Sequence, residues 1–301
     1  MASKRSITTI AILLLIAAGV YWLTYQHRVR QTRELIIMLS SDDHKEAMEA
    51  MQKLRAHGID LYPHLVTAIT SGVSRARWRS AVLLGQLDDQ RATEPLIKLL
   101  SDPEPAACAA AAGALGHLGA KTAIPQLISV LSDYNKELEP RIAAACTLGS
   151  LEAEEAVEEL TAALKGPAVP PELAEHFWQL QVAAAEALGA IGTPEAASGL
   201  MEAVKPSQQD DERVRQAAAY ALGDAGARLQ YEEAELTSII EALLQASNDE
   251  VGDVRIAATH SLGLFTAPEG QAEKVAEALR QASADPHYWV RQAAQHSLGQ
   301  P

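Results

Sequence analysis

The residues of this chain that could do chemistry are its histidines, cysteines and carboxylates, and none of them falls into a known catalytic spacing. The sequence contains no Walker phosphate loop, no Gly-x-Ser-x-Gly, no His-Glu-x-x-His and no Cys-x-x-Cys. His260 and His296 occupy equivalent positions of neighbouring repeats. Such positions lie about 10 Å apart, whereas two zinc-bound nitrogens lie within roughly 4 Å of each other. We therefore predict no metal, no cofactor and no catalytic residue.

Cys108 and Cys146 are the two cysteines, and both lie in Ala-rich stretches. Buried free thiols are the favoured interpretation, because cysteine in such a setting behaves as a small apolar residue. A disulfide between adjacent repeats is the alternative. Two cysteines do not identify the redox compartment.

The charge of the chain is segregated. The net charge is −14, yet residues 1–33 contain basic side chains and no carboxylate, so the remainder is more acidic than the whole. An acidic body repels phosphate backbones, and the sequence has no basic stripe to offset this, so we predict no nucleic-acid binding. We expect a protein or peptide partner, and the charge favours a basic one.

The elements that must position these residues are repeated helices. In residues 210–223, apolar residues recur at Val214, Ala217, Ala218, Ala221 and Leu222, which predicts a helix packed along one face. The same pattern returns later in the chain. If the Leu of each Leu-Gly step is taken as the register, the second helix of each predicted pair is marked by Leu54, Leu84, Leu115, Leu148, Leu188, Leu222, Leu262 and Leu298.

Three positions counted back from the register leucine differ in character. The residue four before is small in every repeat, which predicts closely spaced helices. The residue seven before is usually an arginine, predicted to hold a carbonyl or a turn aspartate, as in Asp249 with Arg255 and Asp285 with Arg291. These structural repeat arginines are Arg77, Arg141, Arg215, Arg255 and Arg291. The residue two before varies, as a binding face would, through Gln52, Val82, Gly113, Cys146, Glu186, Tyr220, His260 and His296.

Aromatic residues and insertions complete the candidate binding surface. Exposed tryptophans are plausible anchors for a partner, although Trp289 could instead cap the end of the core. The two longest repeats contain insertions, at residues 166–178 and 227–233, of which the first is proline-rich and is a candidate binding segment. The second is interpreted as a helix extension. The candidate partner-binding residues are therefore Trp78, Trp178, Glu186, Tyr220, His260, Trp289 and His296.

This pattern resembles HEAT repeats of the phycobilisome-lyase-like subclass. The resemblance is carried by the Val-Arg, Ala-Ala and Leu-Gly steps of residues 214–223, 254–263 and 290–299, and it covers about residues 31–301. It implies an all-α, right-handed α-solenoid of about eight HEAT-like helix pairs. Deoxyhypusine hydroxylases also use this repeat and bind iron through His-Glu dipeptides. Because no histidine here precedes a glutamate, that site does not carry over.

The N-terminal segment suggests a membrane anchor. Residues 1–6 form a short basic head, and residues 7–25 are uncharged, which predicts one transmembrane helix. A cleaved signal peptide is the alternative. Residues 26–40 are predicted to continue this helix into the first repeat. We expect a single-pass membrane protein whose repeat domain lies outside the cytoplasm, although the arginines after the span argue the reverse.

Three functions follow as hypotheses. The leading one is a membrane-anchored, non-catalytic scaffold whose concave face binds a protein or peptide. The second is a bilin-lyase-like or chaperone-like accessory factor that holds a cofactor or client. The third is a structural membrane spacer.

Overall fold

The computed structural model describes residues 4–56, 60–166, 177–206, 211–228, 233–265 and 267–299. Within these ranges the regular structure is helical and no strand occurs. Contacts divide the chain into two compact units, residues 1–114 and residues 115–301, which we call the N-terminal and C-terminal units. Each unit is described by itself.

Helices follow one another along the chain with short connections. Three of them, α5, α7 and α9, are each preceded by a 3₁₀ turn. The helices are α1 (Lys4–Met38), α2 (His44–Arg55), α3 (Tyr62–Ile69), α4 (Ser74–Gln86), α5 (Thr93–Leu99), α6 (Pro105–His117), α7 (Ile124–Ser132), α8 (Leu138–Ser150), α9 (Val157–Lys165), α10 (Trp178–Ile191), α11 (Pro194–Ala203), α12 (Glu212–Arg228), α13 (Glu233–Ala246), α14 (Gly252–Leu262), α15 (Glu269–Ala282) and α16 (Tyr288–Ser297). The even-numbered helices are the second helices, and they contain the register leucines or end next to one.

The N-terminal unit is built around fully buried leucines. Leu39, Leu54, Leu65, Leu84 and Leu96 have no exposed side-chain surface. They come from successive helices or the residues just after them, so the core runs from repeat to repeat without a break. This is the arrangement expected of stacked helix pairs.

A buried arginine closes the C-terminal end of α1. The Arg79 Nη1 donates to the backbone carbonyl oxygens of Leu39 at 2.6 Å and Ser41 at 2.9 Å. These carbonyls have no partner within the helix, so the guanidinium satisfies groups that burial would otherwise leave unpaired. Burial lowers the pKa of Arg79 from its ordinary value. The repeat pattern gave no indication of this role.

The C-terminal unit shows why the small residues recur. Ala144, Ala184, Ala218, Ala258 and Ala294, each four residues before a register leucine, are fully buried. Gly149, Gly189, Gly223 and Gly263, each directly after a register leucine, lie where neighbouring second helices touch, whereas a Cβ on Gly299 would meet nothing within 4 Å. A Cβ on Gly149 would lie 2.7 Å from the Cα of Ala187, and one on Gly189 would lie 2.7 Å from the Cβ of Ala221. These glycines therefore permit close approach of helices.

The left-handed residues that end the second helices lie further on. Gly119 and Gly192 have φ values of 62° and 69°, and each lies four residues after a register leucine. Asp88 and Glu152 occupy the same position in other repeats, with φ values of 53° and 52°. A side chain with a Cβ is strained in this region, so these two residues adopt it at an energetic cost.

The predicted transmembrane helix at residues 7–25 is wrong. In the part of the chain that the structure describes, no helix is long and apolar enough to cross a membrane. In the sequence the uncharged run that begins at Ile7 ends at Tyr25. Polar residues from Gln26 to Arg28 follow it. The predicted single-pass membrane location is corrected with it.

Candidate functional site

The second helices of the C-terminal unit lie side by side and leave one face exposed. Helices α8, α10, α12, α14 and α16 pack against one another in succession. The variable position two before the register leucine lies on their exposed side. We call this surface, with the exposed residues one or two turns away on the same helices, the second-helix face. At its variable position it contains Cys146, Glu186, Tyr220, His260 and His296, of which His260 is half-buried and the others are exposed.

Tyr220 and His260 form an aromatic contact at the middle of this face. Their ring centroids are 5.9 Å apart, and the rings meet edge to face at 62°. Burial and the negative charge of Asp253 raise the pKa of the Tyr220 hydroxyl, so it stays protonated and can donate a hydrogen bond. The pair offers an apolar surface with polar tips to a bound molecule.

Cys146 lies next on the face and is chemically quiet. The residue is exposed rather than buried as the sequence predicted, but partial desolvation of its sulfur and the charge of Glu186 raise the pKa of the thiol. A thiol held protonated is a weak nucleophile and a weak metal ligand. Across the described residues, no group of three or more His, Cys, Asp or Glu side chains is arranged to hold a metal ion. Cys108 is also a free thiol, and its Sγ donates to the carbonyl of Leu100 at 3.0 Å.

Aliphatic and acidic side chains surround the aromatic pair. Ile142, Val182 and Ile256 are partly exposed, each one turn before the variable position of its helix. Exposed carboxylates come from every one of these second helices except α16, and the described residues give them no ion pair. These carboxylates are Glu139, Glu186, Glu212, Asp224 and Asp253.

The arginines that recur along these helices turn away from the face and join neighbouring repeats. Arg215 donates through Nε and Nη2 to the carboxylate of Asp249, at 3.0 and 3.2 Å, and both side chains are almost fully buried. Arg255 bonds Asp285 in the same way, at 2.8 and 3.0 Å. In the N-terminal unit Arg77 holds Asp102 at 2.7 and 2.8 Å. An arginine of one repeat thus holds the turn aspartate of the next.

The backbone carbonyls of the same turns accept hydrogen bonds from the arginine of their own repeat. Arg255 Nη1 donates to the carbonyl oxygen of Asp249 at 2.8 Å, and Arg291 Nη1 donates to that of Asp285 at 2.8 Å. The residue pairs suggested by the sequence therefore meet, but only through the aspartate carbonyls. The aspartate carboxylates are bonded by the arginine of the preceding repeat. Arg141, which has no such aspartate, donates to the carbonyl of Leu131 at 2.9 Å.

The candidate tryptophans lie in three different settings. Trp178, at the start of α10, stacks on the guanidinium of Arg213, whose Cζ is 4.1 Å from the ring centroid. Arg213 is in turn paired with the carboxylate of Asp211. Trp289 is 62% exposed and meets Tyr288 edge to face at 4.9 Å. Trp78 is half-buried beside Arg79 and belongs to the N-terminal unit.

The proline-rich insertion lies largely outside the described residues, which omit 167–176. The proposed helix extension is described only in part, because residues 229–232 are also omitted. Helix α12 continues to Arg228, beyond the register leucine.

An open groove that the sequence did not suggest lies on the first helices. Its volume is about 740 Å³, and its lining includes Glu154, Glu155, Glu158, Lys165 and Glu195. The groove is open to solvent. It is a second surface, separate from the second-helix face.

Comparison with known families identifies the repeat. The family model for HEAT repeats matches residues 93–174, 171–236 and 207–299, and that for the PBS lyase HEAT-like repeat matches residues 76–102. The matched residues make up more than half of the chain, and the resemblance inferred from the Val-Arg and Leu-Gly steps is confirmed. No curated protein matches this chain in sequence.

Several solved structures are similar in fold. An engineered protein is 21% identical, with a TM-score of 0.52 over 89% of this chain and 77% of its own. The complex of CpcE and CpcF of phycocyanin lyase from Nostoc sp. PCC7120 is 22% identical, with a TM-score of 0.43 over 75% of this chain and 91% of its own. Human deoxyhypusine hydroxylase in complex with glycerol is 21% identical, with a TM-score of 0.37 over 92% of this chain and 98% of its own. The first shows a shared fold alone, and the other two are too distant to support an argument.

Proposed function

We propose that this chain, which belongs to the HEAT-repeat family, is a non-catalytic scaffold that binds a protein or peptide on its second-helix face. The proposal rests on a difference between the buried and the exposed positions of each second helix. Positions that pack are filled by the same small or apolar residues in every repeat. The exposed position two before the register leucine differs from repeat to repeat, through Glu186, Tyr220, His260 and His296. Variation along this surface row suits recognition of a specific partner.

The chemistry of the face supports binding over catalysis. Its thiol, Cys146, is held protonated. The repeat arginines, which could have stabilised an anionic transition state, are committed to turn carbonyls and aspartates. The Tyr220–His260 pair remains as an anchor of the kind that is enriched where proteins bind one another.

Site-specific photo-crosslinking tests this proposal. A photoreactive amino acid would replace Tyr220 in one variant, and in a matched control it would replace Glu158, which is exposed on α9. Each variant would be expressed in the native host, irradiated and analysed for crosslinked protein. We expect one or more discrete adducts from position 220 that are absent from position 158. Equal adduct patterns from both positions, or none from position 220, would contradict the proposal.

A lyase-like or chaperone-like accessory role is the second candidate. It is supported by the match of residues 76–102 to the PBS lyase HEAT-like repeat. Absorption spectroscopy and metal analysis of the purified protein distinguish it from the first. A bound chromophore, or a metal in stoichiometric amount, would favour the accessory role.

A further inference from the structure

In the second helices of the C-terminal unit, positive and negative side chains lie in different places. The arginines of these helices whose side chains the structure describes, a set that does not include Arg228, are all engaged within the chain, through Leu131, Asp211, Asp249 and Asp285. Carboxylates remain on the surface. Among the described residues of α8, α10, α12 and α14, no ion pair involves Glu139, Glu186, Glu212, Asp224 or Asp253. The second-helix face is therefore negative, although the helices that form it contain cations.

Apolar contact area lies among these carboxylates. Ile142, Val182 and Ile256 are partly exposed, and the Tyr220–His260 pair joins α12 to α14, the helix that contains Ile256. A long cationic side chain combines an apolar stem with a charged tip, and so matches both parts of this surface. A purely apolar ligand would leave the carboxylates to be desolvated without compensation.

The spacing of the helices selects a conformation for the ligand. Packed helices lie about 8–10 Å apart. A polyproline-II segment has three residues per turn and rises about 3.1 Å per residue, so side chains on one of its sides recur about every 9.3 Å. A β-strand places side chains on one side about every 6.7 Å, which is too short. A polyproline-II segment crossing the helices can therefore present one equivalent side chain to each repeat.

Hydrogen bonding fits the same ligand. A polyproline-II backbone has no internal hydrogen bonds, so its carbonyls need donors from the protein or from water. The Tyr220 hydroxyl is a donor, because burial and Asp253 keep it protonated. His260 and His296 add ring nitrogens along the same row.

We propose that the second-helix face binds a cationic polyproline-II segment that presents a Lys or Arg side chain to the face at about every third residue. This rests on the proposed function and adds to it the charge, conformation and periodicity of the partner. Glu186 and Asp253 are the carboxylates that flank the aromatic pair and receive the cations. The sign of the face excludes an acidic segment.

Fluorescence anisotropy with synthetic peptides tests this. The probe is a labelled peptide of five Lys-Pro-Pro repeats. One control has the same composition with its lysines in a single block, and the other has five Glu-Pro-Pro repeats. We expect the periodic lysine peptide to bind most tightly, the block peptide several-fold more weakly, and the glutamate peptide not at all. Equal affinity for the two lysine peptides would overturn the periodicity, and equal binding of the glutamate peptide would overturn the charge.

A pair of charge-matched variants locates the site. In the test variant Glu186→Gln is combined with Asp253→Asn. In the control Glu158→Gln is combined with Glu195→Gln, which removes the same charge from the groove on the first helices. All four side chains are exposed, so circular dichroism should show both variants folded. We expect the test variant to weaken binding about three- to tenfold, and the control to leave it nearly unchanged. An equal effect of both variants would overturn the assignment.

The outcomes separate this inference from the function on which it rests. If position 220 crosslinks to a natural partner but the periodic lysine peptide does not bind, the scaffold function stands and the polyproline-II inference fails. If the peptide binds and is sensitive to the test variant, but no adduct forms at position 220, the inference about the face stands and the proposal of a natural partner fails.

Discussion

Replacing Gly149 with alanine tests whether the Leu-Gly steps serve helix contact. Gly149 lies within α8, and an added Cβ would lie 2.7 Å from the Cα of Ala187 and 2.9 Å from its Cβ. A backbone atom cannot rotate away as a side chain can, so α8 and α10 must move apart. Overpacking of this kind costs about 1–3 kcal/mol. Alanine recovers about 0.5–1 kcal/mol of helix preference over glycine, so we expect Gly149→Ala to destabilise the protein by about 1–2 kcal/mol.

Urea unfolding followed by circular dichroism provides the measurement, with the midpoint as the readout. Gly113→Ala is the matched control, because Gly113 lies within α6 and a Cβ there meets nothing within 4 Å. That change should stabilise the protein by about 0.5–1 kcal/mol. Adding Ala187→Gly to Gly149→Ala should restore part of the loss, since it removes the Ala187 Cβ at 2.9 Å but leaves the Cα at 2.7 Å. If Gly149→Ala raised the midpoint as Gly113→Ala does, the close-approach reasoning would be refuted.

Three further changes probe the turns of the C-terminal unit by the same unfolding measurement. Arg215→Leu leaves the buried Asp249 carboxylate without its cation and should cost about 3–5 kcal/mol, and adding Asp249→Asn should recover much of this; a loss below about 1 kcal/mol would count against the bridge. Asp285→Asn tests pH dependence. The hydrogen bond from Arg255 holds the Asp285 pKa below its ordinary value of 3.8, so the stability it provides is present above 3.8 and is lost as pH falls through the folded-state pKa. The variant should therefore be less stable than wild type at pH 5, and the difference should shrink towards pH 2.5; a constant difference would contradict this. Glu152→Gly should stabilise by about 0.5–1 kcal/mol, because it relieves a φ of 52°, and a loss of stability would contradict the strain.

The repeat architecture could be predicted because the same packing contacts recur in each pair of helices and require the same residue types. The register leucine and the alanine four before it must face the core in each pair, so their spacing alone identifies the second helices. The glycine role was only partly foreseen. The sequence suggested an exit from the helix as well as close approach, whereas the left-handed position in the structure is four residues after the leucine, as at Gly192.

Partners of the repeat arginines could be narrowed down from the sequence but not assigned. Asp249 lies six residues before Arg255 and 34 residues after Arg215, as the sequence separation of the bridge shows. Proximity in sequence favours Arg255, and that arginine does meet the carbonyl of Asp249. The carboxylate turns to Arg215 because the turn of one repeat lies against the second helix of the repeat before it. The number of residues between two positions does not show which repeat packs against which turn.

The N-terminal prediction failed for a different reason. Composition alone identifies an uncharged stretch of sequence. It does not establish that the helix containing this stretch can cross a membrane. In the structure α1 is one continuous helix from Lys4 to Met38 that passes through Gln26 and Arg28, and Leu35 near its end is buried in the first repeat.

The position of the candidate face could be predicted from the variability of its residues, but the sign of its charge could not. Three of the five second helices of the C-terminal unit contain both arginines and carboxylates, whereas α10 contains only a carboxylate and α16 only an arginine, so composition predicts no sign for the surface. The sign follows from geometry. Arg215 and Arg255 each bond the turn aspartate of the next repeat, and Arg141 and Arg291 bond backbone carbonyls, whereas Glu186 and Asp253 form no ion pair within the described residues and remain exposed. The same contacts that hold the repeats in register therefore leave the binding surface negative. For this reason we propose a cationic partner whose charges follow the spacing of the repeats.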